Sequence, residues 1–211
     1  MTAFESDDLA HSGVHSLSAP VPGGPEDHHV FRVAQLTLLL EVAWAESVDV
    51  RTVDRLGFYD FFPANPFVVT AGDGPRDAAD RLTLRLAGFS DRQLSYASTG
   101  QRFASRRRRL QHDLSLLIAY GLVAIETNGY RLTPAGRTLA AELNSVYADS
   151  YRAAAQVVLR RLKRLSDRQL MLHANDWLGR SWLLIDVLDD VAETTPGTVT
   201  GRDRGRRRGR R

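Results

Sequence analysis

The chain has 211 residues, of which 43% are hydrophobic, so it has enough apolar side chains for one substantial domain or two small ones. It contains no cysteine, which excludes disulfide bonds, thiolate nucleophiles and cysteine-ligated zinc. The formal net charge is +3, but residues 201–211 carry seven arginines against one aspartate; subtracting this +6 leaves −3 for the rest, which is mildly acidic.

The first 29 residues combine serine, glycine, proline, histidine and acidic residues without hydrophobic periodicity. This composition predicts a disordered leader over residues 1–29. The segment lacks the basic start and apolar core of a secretion signal, and no stretch of the chain reaches the ~18 uncharged apolar residues of a membrane span. We therefore expect a cytoplasmic protein that does not contact a membrane.

Two helices are predicted next. The first covers residues 28–46, with Asp27 as its cap, and its apolar residues point in nearly every direction, which indicates a central, buried helix. The second lies near residues 50–62 and is predicted to end at Pro63 and Pro66, because proline cannot continue the hydrogen-bond ladder. Residues 63–100 are predicted to be an irregular insertion, in which residues 80–86 fit either a strand or a helix.

The strongest pattern lies between residues 101 and 143. A helix is predicted over residues 101–120, and Gly121 suits a left-handed cap after it. Two β-prone runs at 122–126 and 130–133 flank an Asn-Gly turn, and Thr133 with Pro134 fits the start of another helix. The order of helix, hairpin and capped helix predicts a winged helix-turn-helix, and we assign residues 30–143 to this domain.

Helical periodicity continues from residue 135 to residue 165, which predicts one long helix or two helices with a break near 144–150. Ser166 begins a further helix to about residue 191. Residues 144–193 are thus a C-terminal helical extension, and residues 194–211 a disordered Arg/Gly tail. The predicted fold class is mainly α: a winged helix-turn-helix with a two-stranded β-wing, extended by long C-terminal helices. The tail either neutralises nucleic-acid phosphates or only increases solubility.

Two groups of side chains are candidate contact residues. The four arginines at 106–109 sweep about 300° of helix surface, so Arg106, which falls between Phe103 and Leu110, should snorkel or pair with an acid. The other arginines suit either phosphate contacts from a recognition helix and wing or a solvated, partner-facing helix. The candidate DNA-contacting residues are Arg102, Arg107, Arg108, Arg109, Asn128, Arg131, Arg206, Arg207 and Arg208. The candidate partner-interface residues are Tyr59, Phe62, Trp177 and Trp182.

No sequence motif for catalysis stands out. The chain has no GxxxxGK[ST] phosphate-binding loop, no nucleophile elbow and no metal-ligand spacing. We therefore expect no catalytic residue, no metal and no cofactor, and a protein that is not an enzyme.

Three stretches together resemble the middle component of ABC-three-component systems, which are predicted bacterial antiphage conflict modules similar to Lamassu-type defence systems. A leucine-rich helix at 33–45 is followed by residues 55–62, which look like the family's hydrophobic Asp-Tyr motif, here in the order Tyr59-Asp60. Residues 101–126 are similar to its arginine-bearing helix with a Gly-Leu-Val turn. Residues 133–136 look like its Thr-Pro-Glu-Gly helix start, with Ala135 in place of the glutamate.

The resemblance implies a small, non-enzymatic adaptor subunit. Such a subunit would link a coiled-coil ATPase, SMC-like or RecF-like, to an effector such as a nuclease, and direct contact with double-stranded DNA stays open. The family has no catalytic residues to carry over. The alternative is a winged-helix transcriptional regulator that binds DNA directly, because the same wing and the arginines at 107–109 suit that function too.

Overall fold

The computed structural model describes residue 25, residues 28–91 and residues 98–179. Within these ranges the fold is mainly helical, as predicted, with one antiparallel pair of strands. The helices are α1 His29–Ala45, α2 Val53–Ala64, α3 Pro75–Leu86, α4 Thr99–Ala119, α5 Pro134–Glu142, α6 Val146–Leu162 and α7 Asp167–Leu178; the strands are β1 Val123–Glu126 and β2 Gly129–Leu132. Of the helices in these ranges, none is long and apolar enough to cross a membrane.

Helix α1 is central, which confirms the prediction from its hydrophobic pattern. It contacts α2, α4, α5, α6 and β2, and Leu36 and Leu39 are completely buried. Its two ends reach solvent, because Val30 is 68% and Trp44 62% exposed. The residue at the N-cap position is His28, which makes no side-chain capping bond. The predicted cap, Asp27, lies outside the described residues.

Helix α2 passes through Pro63 and ends one residue later, so the prediction that Pro63 ends it is wrong. A proline in the last turn removes only one backbone donor, and the Asn65 side chain donates a hydrogen bond to the Phe61 carbonyl (3.0 Å) at this end. A 3-10 turn, Pro66–Val68, follows.

The segment 63–100, which we predicted to be irregular, contains helix α3, so residues 80–86 are helical. Leu82, Leu84 and Leu86 alternate with polar residues as in a strand, and this alternation made the sequence ambiguous. Only Leu84 of α3 is buried, and it packs in a small cluster with Ala154 and Val157 of α6.

The region after α3 confirms the predicted order of helix, hairpin and capped helix. Gly121 follows α4 with a φ of 66°, the left-handed conformation that glycine adopts without strain. Strands β1 and β2 pair with Val123 opposite Leu132. The Thr133 hydroxyl caps α5 by accepting a hydrogen bond from the amide of Gly136 (3.1 Å).

The C-terminal periodicity belongs to two helices, the second of the two predicted alternatives. Helix α5 ends at Glu142, and Ser145 caps α6. Ser166 begins α7 through a capping box with Gln169, as predicted. That helix ends at Leu178, where Gly179 takes a φ of 77°. The part of the prediction that extends to about residue 191 lies outside the described residues. Trp182 and the Arg/Gly tail, with Arg206, Arg207 and Arg208, lie outside the described residues.

Candidate functional site

Three charged residues from three helices meet in the interior. The carboxylate of Asp60 on α2 accepts hydrogen bonds from Arg32 on α1 (2.8 and 2.9 Å) and from Arg106 on α4 (2.7 and 2.9 Å). Asp60 is 1% and Arg32 2% exposed. Of the two outcomes predicted for Arg106, snorkelling or pairing with an acid, the structure shows the second, and its guanidinium is held inside the protein.

Further groups complete this buried network. Arg32 also donates to Asp113 (2.9 Å), so two arginines face two aspartates and the cluster is neutral. The amide oxygen of Gln35 accepts from both guanidiniums, and its amide nitrogen donates to the Tyr147 hydroxyl (2.6 Å). The network therefore connects α1, α2, α4 and α6 through matched charges and hydrogen bonds in the interior.

The pKa of Asp60 reflects this environment. Burial raises the pKa of its carboxyl group, but the charges and hydrogen bonds of Arg106 and Arg32 lower it by more, to about 2. The group is therefore a carboxylate at neutral pH. The sequence offered only one signal for it, the resemblance at Tyr59-Asp60, and that signal did not reveal its arginine partners.

Two of the predicted partner-interface residues are core residues, which corrects that assignment. Tyr59 and Phe62 are 0% exposed, because both lie on the inner face of α2. The Tyr59 hydroxyl accepts a hydrogen bond from Arg55 (2.6 Å). The Phe62 ring meets the half-buried Trp177 ring edge-on at 5.3 Å. The contact between Phe62 and Trp177 joins α2 to α7.

The predicted DNA-contacting arginines of α4 do not share one surface. The solvent-facing side of this helix carries Gln101, Ser105, Arg108, His112 and Ser115. Of the predicted arginines, only Arg108 belongs to this set. Arg107 forms an ion pair with Asp54 (2.7 Å), and Arg102 donates to the amide oxygen of Asn65 (2.6 Å). Successive residues differ by 100° around a helix, so four consecutive arginines cannot form a single row.

The hairpin is fixed against the segment before α2. The Tyr130 amide donates to the Val50 carbonyl (2.9 Å), and a Cβ atom on Gly129 would lie 2.0 Å from that oxygen. Arg131 is half-buried and pairs with Asp49 (3.1 Å) and with Glu126 (3.7 Å). Asn128 is exposed at the turn.

A hollow of about 300 Å³ lies beside the hairpin, with Trp44 in its wall. Four charged residues and Leu132 complete the lining: Glu41, Glu126, Arg131 and Arg137. Sequence patterning placed Trp44 in a buried helix, and no local signal shows that the helix end emerges from the core at this point.

Part of the chain is similar to a known protein family. Residues 93–182 match the family model described as ABC-three component (ABC-3C) system Middle Component 2. Comparisons with curated proteins and with solved structures gave no match. The matched range includes α4, the hairpin, α5, α6 and α7. Over this range the chain is similar to the middle components of ABC-three component systems, and the match supports the resemblance that its sequence motifs indicated.

Proposed function

We propose that the chain is the middle component of a bacterial ABC-three component antiphage system. In this proposal it is a non-enzymatic, cytoplasmic adaptor that links a coiled-coil ATPase, SMC-like or RecF-like, to an effector such as a nuclease. The observation that carries the proposal is the family match over residues 93–182. A component of a multi-subunit system needs a surface for its partners, and the hollow beside the hairpin is a candidate for one.

The chemistry of this surface suits a protein partner. Trp44 is 62% exposed, and tryptophan is among the residues that most often dominate the binding energy of protein interfaces. Two acidic and two basic side chains line the hollow with it, and Arg131 is already paired with carboxylates. A DNA-binding surface would instead present a concentration of positive charge to the phosphates.

Co-expression with the products of neighbouring genes tests the adaptor function. We expect a tagged chain to co-purify an ATPase and an effector in fixed stoichiometry. Trp44→Ala should weaken binding of the partner that covers the hollow by about tenfold or more, since such anchors contribute roughly 2 kcal/mol. Val30→Ala, at the equally exposed opposite end of α1, is the matched control and should leave binding unchanged. A monodisperse chain that binds no neighbouring ATPase would contradict the proposal.

A winged-helix transcriptional regulator is the second candidate. The order of α4, hairpin and α5 favours it, as do the exposed Arg108 on α4 and the exposed Asn128 at the turn. A regulator should bind a specific duplex in fluorescence anisotropy, less tightly as salt rises from 50 to 200 mM. The double variant Arg108→Gln/Asn128→Ala should weaken it. Binding that disappears only when residues 201–211 are removed would count against this function.

A further inference from the structure

The residues that follow α7 form an acidic segment in the sequence. Residues 181–193, which lie outside the described residues, contain four carboxylate side chains and no arginine or lysine. The carboxylates belong to Asp186, Asp189, Asp190 and Glu193. The last three follow the first by three, four and seven residues, which is the spacing of one side of a helix. At 100° per residue Trp182 falls on the same side, so the pattern predicts a helix with one acidic side that also carries an indole ring.

The end of α7 places the start of this segment beside α2 and α4. Trp177, in the last turn of α7, meets Phe62 of α2 edge-on, with ring centroids 5.3 Å apart. The Phe58 ring stacks on Phe62 (6.2 Å) and on Phe103 of α4 (5.3 Å). Leu178 is buried in the same core, and α7 also contacts α4 directly. The chain therefore leaves α7 at an aromatic cluster that joins α2 to the first half of α4.

Two arginines of α4 lie about one turn beyond this aromatic cluster. Arg107 follows Phe103 by four residues, and its ion-pair partner Asp54 (2.7 Å) precedes Phe58 by four residues on α2. Residues four apart share one side of a helix, so this ion pair continues the line of the aromatic rings. Arg108, the next residue, is exposed. A segment that runs from the end of α7 along α4 therefore meets these two guanidinium groups.

Both guanidinium groups can bind further carboxylates in addition to their present partners. A guanidinium has five N–H donors. The ion pair of Arg107 is with a carboxylate side chain that is 70% exposed, and Arg108 donates to the neutral Ser105 hydroxyl (3.4 Å). Exposed ion pairs contribute little to stability, so sharing or exchanging such a partner costs little. Neither arginine therefore has to lack a partner in order to bind the acidic segment.

From these observations we propose that residues 181–193 bind α4 within the same chain, with their carboxylates on Arg107 and Arg108 and with Trp182 on the aromatic cluster. Duplex DNA would have to displace the segment before its phosphates could reach the same guanidinium groups. The segment is thus an internal competitor that keeps DNA from α4. This contact is separate from the hollow beside the hairpin and does not depend on the adaptor function.

Carbodiimide cross-linking of the full chain tests the contact. Lys163 is the only lysine in the sequence, so Arg108→Lys adds one amine at a defined place, which a water-soluble carbodiimide joins to a carboxylate in direct contact. We expect peptide mass spectrometry to show position 108 linked to carboxylates of residues 186–193. Lys163 and Glu46, whose charged groups are 3.6 Å apart, provide an internal positive control. Thr138→Lys, on the exposed side of α5, is the matched variant that should not link to the segment.

The cross-links must also form within one chain. In an equal mixture of isotopically labelled and unlabelled chains, we expect every linked pair of peptides to carry a single label pattern, because both peptides belong to the same molecule. Pairs that combine a labelled and an unlabelled peptide would show that the segment binds a second copy of the chain.

Anisotropy of a fluorescent DNA duplex tests the competition. Replacing the four carboxylates of the segment with amides should increase the affinity of the full chain roughly tenfold at low salt, because the phosphates no longer compete with an acidic segment for α4. A matched variant neutralises four exposed carboxylates elsewhere, so its net charge is the same, and its affinity should rise by no more than about threefold. The substitutions in this matched variant are Asp73→Asn, Glu142→Gln, Asp149→Asn and Asp176→Asn.

Four results would overturn the proposal. They are no link between position 108 and residues 186–193, links only between different chains, an equal gain of affinity in the two neutralised variants, and no DNA binding by either variant. None of these results bears on whether the chain co-purifies with partner subunits, so failure here is distinguishable from failure of the adaptor function.

Discussion

Replacing Asp60 with asparagine tests the role of the buried network. Asparagine has nearly the same shape but no charge, so Arg32 and Arg106 would keep one carboxylate, Asp113, for two buried guanidiniums. The amide nitrogen would also point a donor at groups that are themselves donors. The substitution therefore leaves an uncompensated buried charge and an unsatisfied hydrogen-bonding group in the centre of the protein.

Removing one partner of a buried ion pair typically costs about 3–5 kcal/mol of unfolding free energy. The contacts of Asp60 support a value in this range, because both oxygens accept from both arginines at 2.7–2.9 Å and the residue is 1% exposed. Most small domains are stable by about 5–15 kcal/mol, so the loss would be a large part of the total.

Urea denaturation followed by circular dichroism measures this cost. Asp54→Asn is the matched control, because the Asp54 side chain is 70% exposed in its ion pair with Arg107. Exposed pairs contribute about 0–1 kcal/mol, so the control should stay close to the parent chain. If Asp60→Asn is as stable as Asp54→Asn, the network does not contribute to stability as we infer from its geometry.

Three further predictions concern the same fold. Burial raises the pKa of Asp60, but its two arginine partners lower it by more, from an ordinary 3.8 to about 2 in the folded chain. The contribution of this carboxylate to the free energy of unfolding is therefore present above about pH 4 and is lost as the pH falls towards 2. Urea titrations should show that the stability difference between the parent and Asp60→Asn shrinks over this interval. Tyr151→Phe removes a buried hydroxyl that has no hydrogen-bond partner among the described residues. Thermal denaturation of this variant should therefore show a stability equal to that of the parent or greater by up to about 1 kcal/mol, and a marked loss of stability would contradict this reasoning. Gly121→Ala should cost about 1–2 kcal/mol for its positive φ, since nothing lies within 4 Å of the new Cβ. Gly129→Ala adds a clash with the Val50 carbonyl and should cost about 1–3 kcal/mol more in urea denaturation, so similar losses in the two variants would show that the hairpin is not held against Val50.

The elements that the sequence predicted well are those with local causes. The hairpin, its Asn-Gly turn and the start of α5 at Thr133 depend on residues within a few positions of one another, and the structure contains all of them. Capping boxes and left-handed glycines act over three or four residues, so their signals can be read directly from the chain. The same holds for Ser166, which begins α7 as expected.

Errors occurred where packing decided the outcome. Tyr59 and Phe62 look like candidates for a partner interface in the sequence, but α2 turns both into the core against α6 and α7. Helix α3 was missed because only Leu84 is buried, so its hydrophobic pattern lacks helical periodicity. Trp44 was expected to be buried, although the end of α1 leaves the core.

Local patterns in the chain were enough to predict the helical class and the hairpin. They also showed a conflict at Arg106, because a run of four arginines cannot all face solvent beside Phe103 and Leu110. The way in which that conflict is resolved is visible only in the folded chain. Arg106 pairs with Asp60, which lies 46 residues earlier in the chain. The second guanidinium on that carboxylate belongs to Arg32, 28 residues before Asp60. Periodicity shows that a buried cation needs a counter-charge, but the identity of that counter-charge depends on which helices pack together.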